Sequence, residues 1–299
     1  MTGAAQGWSG PLILRLFARH HDPRRPLLEA VVQNTLADLG YPVPRALLAS
    51  GDAAALGGPF VVMDRAPGRP LLRARMLGVG AVLADLQSRL HELDASVLLD
   101  ALDRDGPPPG RELVTFDGYL AQFHARIDKG ALEGLRPAIE WVMAHRPREA
   151  LRPSICHGDF HPHNILHDGR RATAVLDWPN IVVADPAYDV ASTLLILRHT
   201  PIELSGSPRA MLWMVRVARR VLIVRYLRGY RQRRPIDLAS LPYYEAAAAI
   251  RALVRAAERR PQQRRGVENP LDASPYADRL AARFAAITGV LPVVPAPRA

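Results

Sequence analysis

Cysteine and lysine are almost missing from this 299-residue chain. A single cysteine, Cys156, leaves no intramolecular disulfide and no cysteine-based zinc cluster, so the chain reads as a protein of a reducing, cytoplasmic compartment. Lys129 is the one lysine among 39 basic residues; arginine supplies nearly all of the net charge of +10. Those arginines are scattered. Their densest stretch, residues 216–234, alternates with Val, Leu and Tyr as a helix face does. Basic strands interleaved with aromatics and zinc-finger spacings are absent, so no nucleic-acid partner is expected. No apolar run reaches the ~18–20 residues of a membrane span. The first ten residues hold no basic residue and no apolar core, so no secretory leader is expected. No internal repeat is visible. What remains is ordinary globular material, 48% hydrophobic and 23% charged, enough for one large or two smaller domains.

Apolar spacing then sets the expected elements. Residues 11–17 (PLILRLF) read as a buried strand. Residues 26–39 read as a helix, with Leu27, Leu28, Val31, Val32, Leu36 and Leu39 at helical spacing and Gly40 as its stop. Strands follow at 43–50 and 60–63, the second closed by Asp64-Arg65-Ala66-Pro67-Gly68. Beyond Gly68 the pattern turns helical, with a leucine stripe at 83–93, helices at 117–128 and 137–145, and three more at about 209–230, 241–259 and 275–287. Residues 106–110 read as a linker, and the three prolines within 291–299 favour a frayed end. The fold class is therefore α+β: a small α/β N-terminal domain over 1–66 and a large, mainly helical domain over 67–299.

The chemistry concentrates at Cys156-His157-Gly158-Asp159-Phe160-His161-Pro162-His163-Asn164, followed by Asp177. Asp159 and Asn164 stand five apart in a loop, and a hairpin through Asp168-Gly169 returns the chain along 172–176 to Asp177. Two carboxylates and a carboxamide are hard oxygen donors, a set that suits Mg²⁺ shared with substrate phosphates. The spacing H-x-D-x-x-x-x-N with a later Asp is that of a kinase catalytic loop and its metal-binding Asp. Four histidines fall within residues 157–167, yet no remote ligand set accompanies them, so zinc is not expected. His91 reads as a core or helix-end histidine, Cys156 as a small buried hydrophobe, and Asp185 as the cap of a helix starting near Pro186. Trp213, Met211 and Met214 read as core.

HGDFHPHN with LDW, then Ala184-Asp185-Pro186-Ala187-Tyr188-Asp189-Val190-Ala191, resembles the aminoglycoside phosphotransferase family of kinase-like small-molecule kinases. LILRL, GYPVP, FVVMDRAPG and RLHELD match the family's other landmarks in order. The resemblance implies a protein-kinase-like two-lobe fold and an ATP-dependent phosphotransferase acting on a hydroxyl of a small molecule, with Mg²⁺. It implies Asp159 as catalytic base, Asn164 and Asp177 as metal ligands, and His157 and Asp189 as support for the loop. It implies Arg15 at the place of the nucleotide-binding lysine, Glu29 as its ion-pair partner, Met63 behind the adenine ring, and backbone around Asp64 to Ala66 at the ring's edge. Two departures stand out. Arginine forks its donors and is no neutral swap for lysine. Residues 1–10, with Gly3, Gly7 and Gly10, leave no room for the family's first strands and phosphate loop. The upstream reading frame is expected to encode about 25–40 more residues with that hairpin pattern. The alternative function is a catalytically weak, kinase-like nucleotide-binding protein.

Overall fold

The elements follow in the order β1 (Leu12–Leu16), α1 (Arg24–Asp38), β2 (Ala46–Ser50), β3 (Phe60–Asp64), β4 (Arg69–Pro70), α2 (Met76–Glu92), α3 (Ala95–Asp105), α4 (Phe116–Lys129), α5 (Arg136–Ala144), β5 (Ser154–Cys156), β6 (Ile165–His167), β7 (Ala172–Val175), β8 (Val182–Ala184), α6 (Pro186–His199), α7 (Arg209–Arg233), α8 (Leu241–Gln263) and α9 (Ser274–Thr288). This is a computed structural model, and it describes residues 10–18, 22–73, 76–107, 110–147, 153–200, 209–263 and 274–294. Gly3 and Gly7 lie outside the described residues, as do Pro108 and Pro109 of the expected linker and the last five residues.

The chain divides into two compact units. One comprises the described parts of Met1–Ala74, Ser96–Arg111 and His163–Pro179; the other comprises those of Arg75–Ala95, Glu112–Pro162 and Asn180–Ala299. In the first unit, β1, β3 and β2 form an antiparallel sheet in that order, with Arg15 opposite Val61. The central strand is the buried one: Val61 is fully enclosed, and Met63 packs with Phe17. β1 departs from the expected buried strand. It is an edge among the described residues, and Ile13, Leu14 and Leu16 are exposed. β2 starts later than its apolar run because Pro42 and Pro44 have no N–H to give a ladder. α1 ends as its sequence dictates, with Gly40 in the left-handed region at φ +76° and its N–H on the Ala37 carbonyl. β6 and β7 form the expected hairpin, turned by Asp168, whose carboxylate accepts the N–H groups of Arg170 and Arg171.

In the second unit the core centres on α8, whose run Ala246, Ala247, Ala248, Ala249 and Ile250 is buried against α4, α5, α6 and α9. Small residues let these helices approach closely. α2 and α7 also touch closely: a Cβ on Gly80 would stand 2.9 Å from the Leu222 carbonyl oxygen. The buried stripe of α7 is Leu222, Tyr226 and Tyr230. Trp213, Met211 and Met214 are not core as expected: they are exposed, Trp213 by 65%. Trp213 precedes Leu222 by nine residues, which at 3.6 per turn is half a turn off that stripe. Asp185 does cap α6, accepting the Ala187 N–H at 2.8 Å. No helix among the described residues is long and apolar enough to cross a membrane.

Candidate active site

In the first unit, the alternation of β1 aims Arg15 at α1. Its guanidinium donates to Glu29 Oε1 at 2.6 Å through Nη1 and to Asp177 Oδ1 at 2.8 Å through Nη2. Glu29 is 2% exposed, and Gln33, one helical turn on, donates to it at 3.2 Å. The buried face of α1 thus carries two polar side chains, and both keep an oxygen without a partner among the described residues: Glu29 Oε2 and Gln33 Oε1. Burial pushes the Glu29 carboxyl up to about 7, against the pull of Arg15 and with the help of the nearby Asp177 charge.

Asp177 arrives at Arg15 because the β6–β7 hairpin ends there. The Leu176 N–H donates to the Asn164 carbonyl at 2.8 Å, and the Val175 N–H to that of Pro42 at 2.7 Å. Asn164 is thereby held at the foot of the strand that delivers Asp177. Asp177 itself has φ +67°, a left-handed backbone that costs a non-glycine residue about 1–3 kcal/mol. The next residue, Trp178, is fully buried, stacks edge-on to Tyr41 at 6.0 Å, and anchors this kink. Arg15, Glu29, Gln33, Met63, Asp64, Ala66, Leu176 and Asp177 line one open pocket of about 800 Å³, the size range of small-ligand sites. In the stretch Asp64 to Ala66, the Asp64 N–H is spent on the Arg45 carbonyl and the Arg65 N–H on that of Pro11. Ala66 follows as a residue of the pocket lining.

In the second unit, β5 pairs with β8 and delivers the loop that begins at His157. Gly158 is required there: φ is +73°, and a Cβ would stand 2.4 Å from the Asn180 carbonyl oxygen. Asp189 on α6 is fully buried and accepts both the His157 N–H at 3.1 Å and the Gly158 N–H at 2.7 Å. His91 Nε2 sits 3.1 Å from the same carboxylate and its Nδ1 2.6 Å from the Tyr230 hydroxyl. His157 Nδ1 accepts the Asp159 N–H at 3.2 Å, and Ser192 donates to the Gly158 carbonyl at 2.8 Å. The backbone that presents Asp159 is therefore fixed from both sides. Burial pushes the Asp159 carboxyl up, but Arg251, His161, Arg255 and His157 outweigh it and hold the group below its usual value, an ionised carboxylate at neutral pH. Burial pushes the Cys156 thiol well up, in keeping with an inert core residue.

The structure thus brings Arg15, Glu29, Met63, Asp64, Ala66 and Asp177 to one pocket, and His157, Asp159 and Asp189 to one braced loop. Among the described residues no group of three or more His, Cys, Asp and Glu is placed to hold a metal ion. Sequence reading missed Gln33 and Arg251. The signal for Arg251 was available: Ala247, Ile250, Arg251 and Val254 share one helical stripe, so a charge stands where an apolar residue belongs.

The model of the phosphotransferase enzyme family APH matches residues 4–236. Mouse acyl-CoA dehydrogenase family member 10 is 28% identical over 175 residues, which is 55% of this chain but only 16% of that protein's length. A structure of a candidate aminoglycoside phosphotransferase from Ralstonia eutropha superposes with a TM-score of 0.65 at 20% identity, covering 95% of this chain and 94% of that one. Aminoglycoside phosphotransferase APH(4)-Ia, solved as a thermostable mutant in ternary complex with ADP and hygromycin B, gives 0.54 at 16% identity over 93% of this chain and 86% of that one. The family model covers most of the chain, and the superpositions extend over nearly all of it: the chain belongs to the APH phosphotransferase family and has its kinase-like fold.

Proposed function

We propose that the chain transfers the γ-phosphoryl group of ATP to a hydroxyl of a small molecule. The observation that carries this is Asp159, an ionised carboxylate held on a loop that Asp189 and Ser192 fix by hydrogen bonds. Asp159 accepts the proton of the acceptor hydroxyl as its oxygen bonds to the γ-phosphorus and the bond to ADP breaks. In the first unit, Met63 lies behind the adenine ring, the Ala66 N–H meets its edge, and Arg15 reaches the phosphates from its anchor on Glu29. Asn164 and Asp177 would hold Mg²⁺. The fit rests on donor chemistry: both offer hard oxygens, and the Asp177 carboxylate already faces a cation, the Arg15 guanidinium. The chemistry supplied with a bound Mg²⁺ is charge neutralisation at the phosphate oxygens. His157 and Asp189 position the loop.

Asp159→Asn tests the reading. It should lower phosphoryl transfer by about 10²–10⁴-fold with ATP affinity nearly unchanged, the loss expected of a general base. Turnover within threefold of wild type would reject Asp159 as the base. A second reading rests on Arg15, which engages Glu29 and Asp177 together where the family has a lysine: a kinase-like protein that binds nucleotide with little turnover. Saturable ATP binding with no transfer across a broad acceptor panel decides for it. The panel should include a polycationic aminoglycoside, a neutral polyol, a hydroxy acid and a hydroxyacyl thioester. The net charge of +10 favours the anionic members over the polycation.

A further inference from the structure

Arg251 lies in the middle of α8 and is 4% exposed. A guanidinium carries five N–H donors, and burying it without acceptors is costly. Among the described residues only Nη2 is engaged: it donates to the Ser192 hydroxyl at 3.2 Å and stands 3.6 Å from Asp159 Oδ1, beyond hydrogen-bond length. Nε and Nη1 are buried and have no partner among the described residues, which leaves three N–H donors unused there. Besides Asp159, the groups that act electrostatically on Arg251 include Tyr119, Tyr188 and Tyr276. Burial pushes the pKa of each upward, so they are neutral at physiological pH and bring no balancing charge. A charge partner placed merely to hold Asp159 would spend its donors on it. Arg251 instead keeps most of them unspent, beside the carboxylate that faces the reacting hydroxyl.

We propose that Arg251 binds an anionic oxygen group, a carboxylate or phosphate, carried by the acceptor itself. With the acceptor hydroxyl on Asp159, that group stands only a few bonds away, so the acceptor class is short hydroxy acids and phosphorylated polyols. This rests on the reading of Asp159 as the base that receives the acceptor, and it names the chemistry of that acceptor.

The test uses the full chain without ATP, so its outcome is separate from turnover. Inorganic phosphate and glycolate are titrated at constant ionic strength against chloride, by calorimetry, into wild type, Arg251→Gln and Arg251→Lys. Wild type should bind saturably, R251Q at least tenfold more weakly, and R251K between the two, because lysine keeps the charge but loses the forked donors. The thermal shift with ATP and Mg²⁺ should be the same in all three. Equal anion binding in wild type and R251Q, or none in wild type, overturns the proposal. Should R251Q fail to fold, wild-type crystals soaked in selenate give a second answer. An anomalous peak within about 4 Å of the Arg251 guanidinium supports the site; peaks elsewhere only, or none, overturn it. Anion binding with no phosphoryl transfer would instead sink the proposed function and leave the anion site standing.

Discussion

At the scale of single residues, the unusual charges are those whose burial and pairing disagree. Glu29 is enclosed with one oxygen unpaired among the described residues, yet its other oxygen takes a 2.6 Å bond from Arg15. Its pKa is raised from 4.5 to about 7, with burial as the leading cause. A carboxyl raised on folding stabilises most below its unfolded pKa and loses that contribution as pH rises through its folded one. Between pH 4.5 and 7.5, wild type should therefore lose on the order of 3 kcal/mol relative to Glu29→Gln, from about 2.5 units at 1.36 kcal/mol each. Urea unfolding of both proteins at pH 5 and pH 8 measures it; parallel profiles would contradict the raised pKa. Asp189 behaves oppositely. Burial pushes it up, but His91 and the other groups around it more than compensate, and it stays ionised to brace the loop.

Elements show the same division between local rules and packing. The cap of α6 is local: Asp185 satisfies the Ala187 N–H, and Pro186 occupies the first helical position. Asp185→Ala should cost about 1 kcal/mol in unfolding free energy. A loss under about 0.3 kcal/mol would show that tertiary contacts, not the cap, fix the helix start. The exposed face of α7 is a matter of packing. Trp213→Ser should change stability by less than about 0.5 kcal/mol because the indole stands largely in solvent. Leu222→Ala, on the buried stripe, should cost about 2–5 kcal/mol. Equal effects of the two substitutions in one denaturation series would place Trp213 back in a core.

For the whole molecule the governing quantity is charge. A net charge of +10 makes a field that attracts anions and repels a polycation, and salt screens it over about 8–10 Å. For an anionic acceptor, kcat/KM should fall several-fold as ionic strength rises from about 0.05 to 0.5 M, while the value for a cationic acceptor stays flat or rises. The opposite salt dependence would show that a local acidic pocket overrides the global field.

The sequence alone determined what depends on neighbours along the chain. Gly40 stops α1, Asp168-Gly169 turns the β6–β7 hairpin, Asp185 caps α6, and the loop motif shows Asp159, Asn164 and Asp177 in order. Helical period, turn chemistry and motif spacing are short-range, so they are written where they act. Only the tertiary structure decided what depends on distant segments. That β1 lies at a sheet edge among the described residues, that Trp213 points away from its helix's packed stripe, and that Arg15 spans Glu29 and Asp177 are results of which surfaces meet. The same holds for Arg251, 92 residues after Asp159 in the chain and 3.6 Å from its carboxylate. Its position on an apolar stripe marks it as out of place, but only packing shows that two of its nitrogens are left without a partner among the described residues.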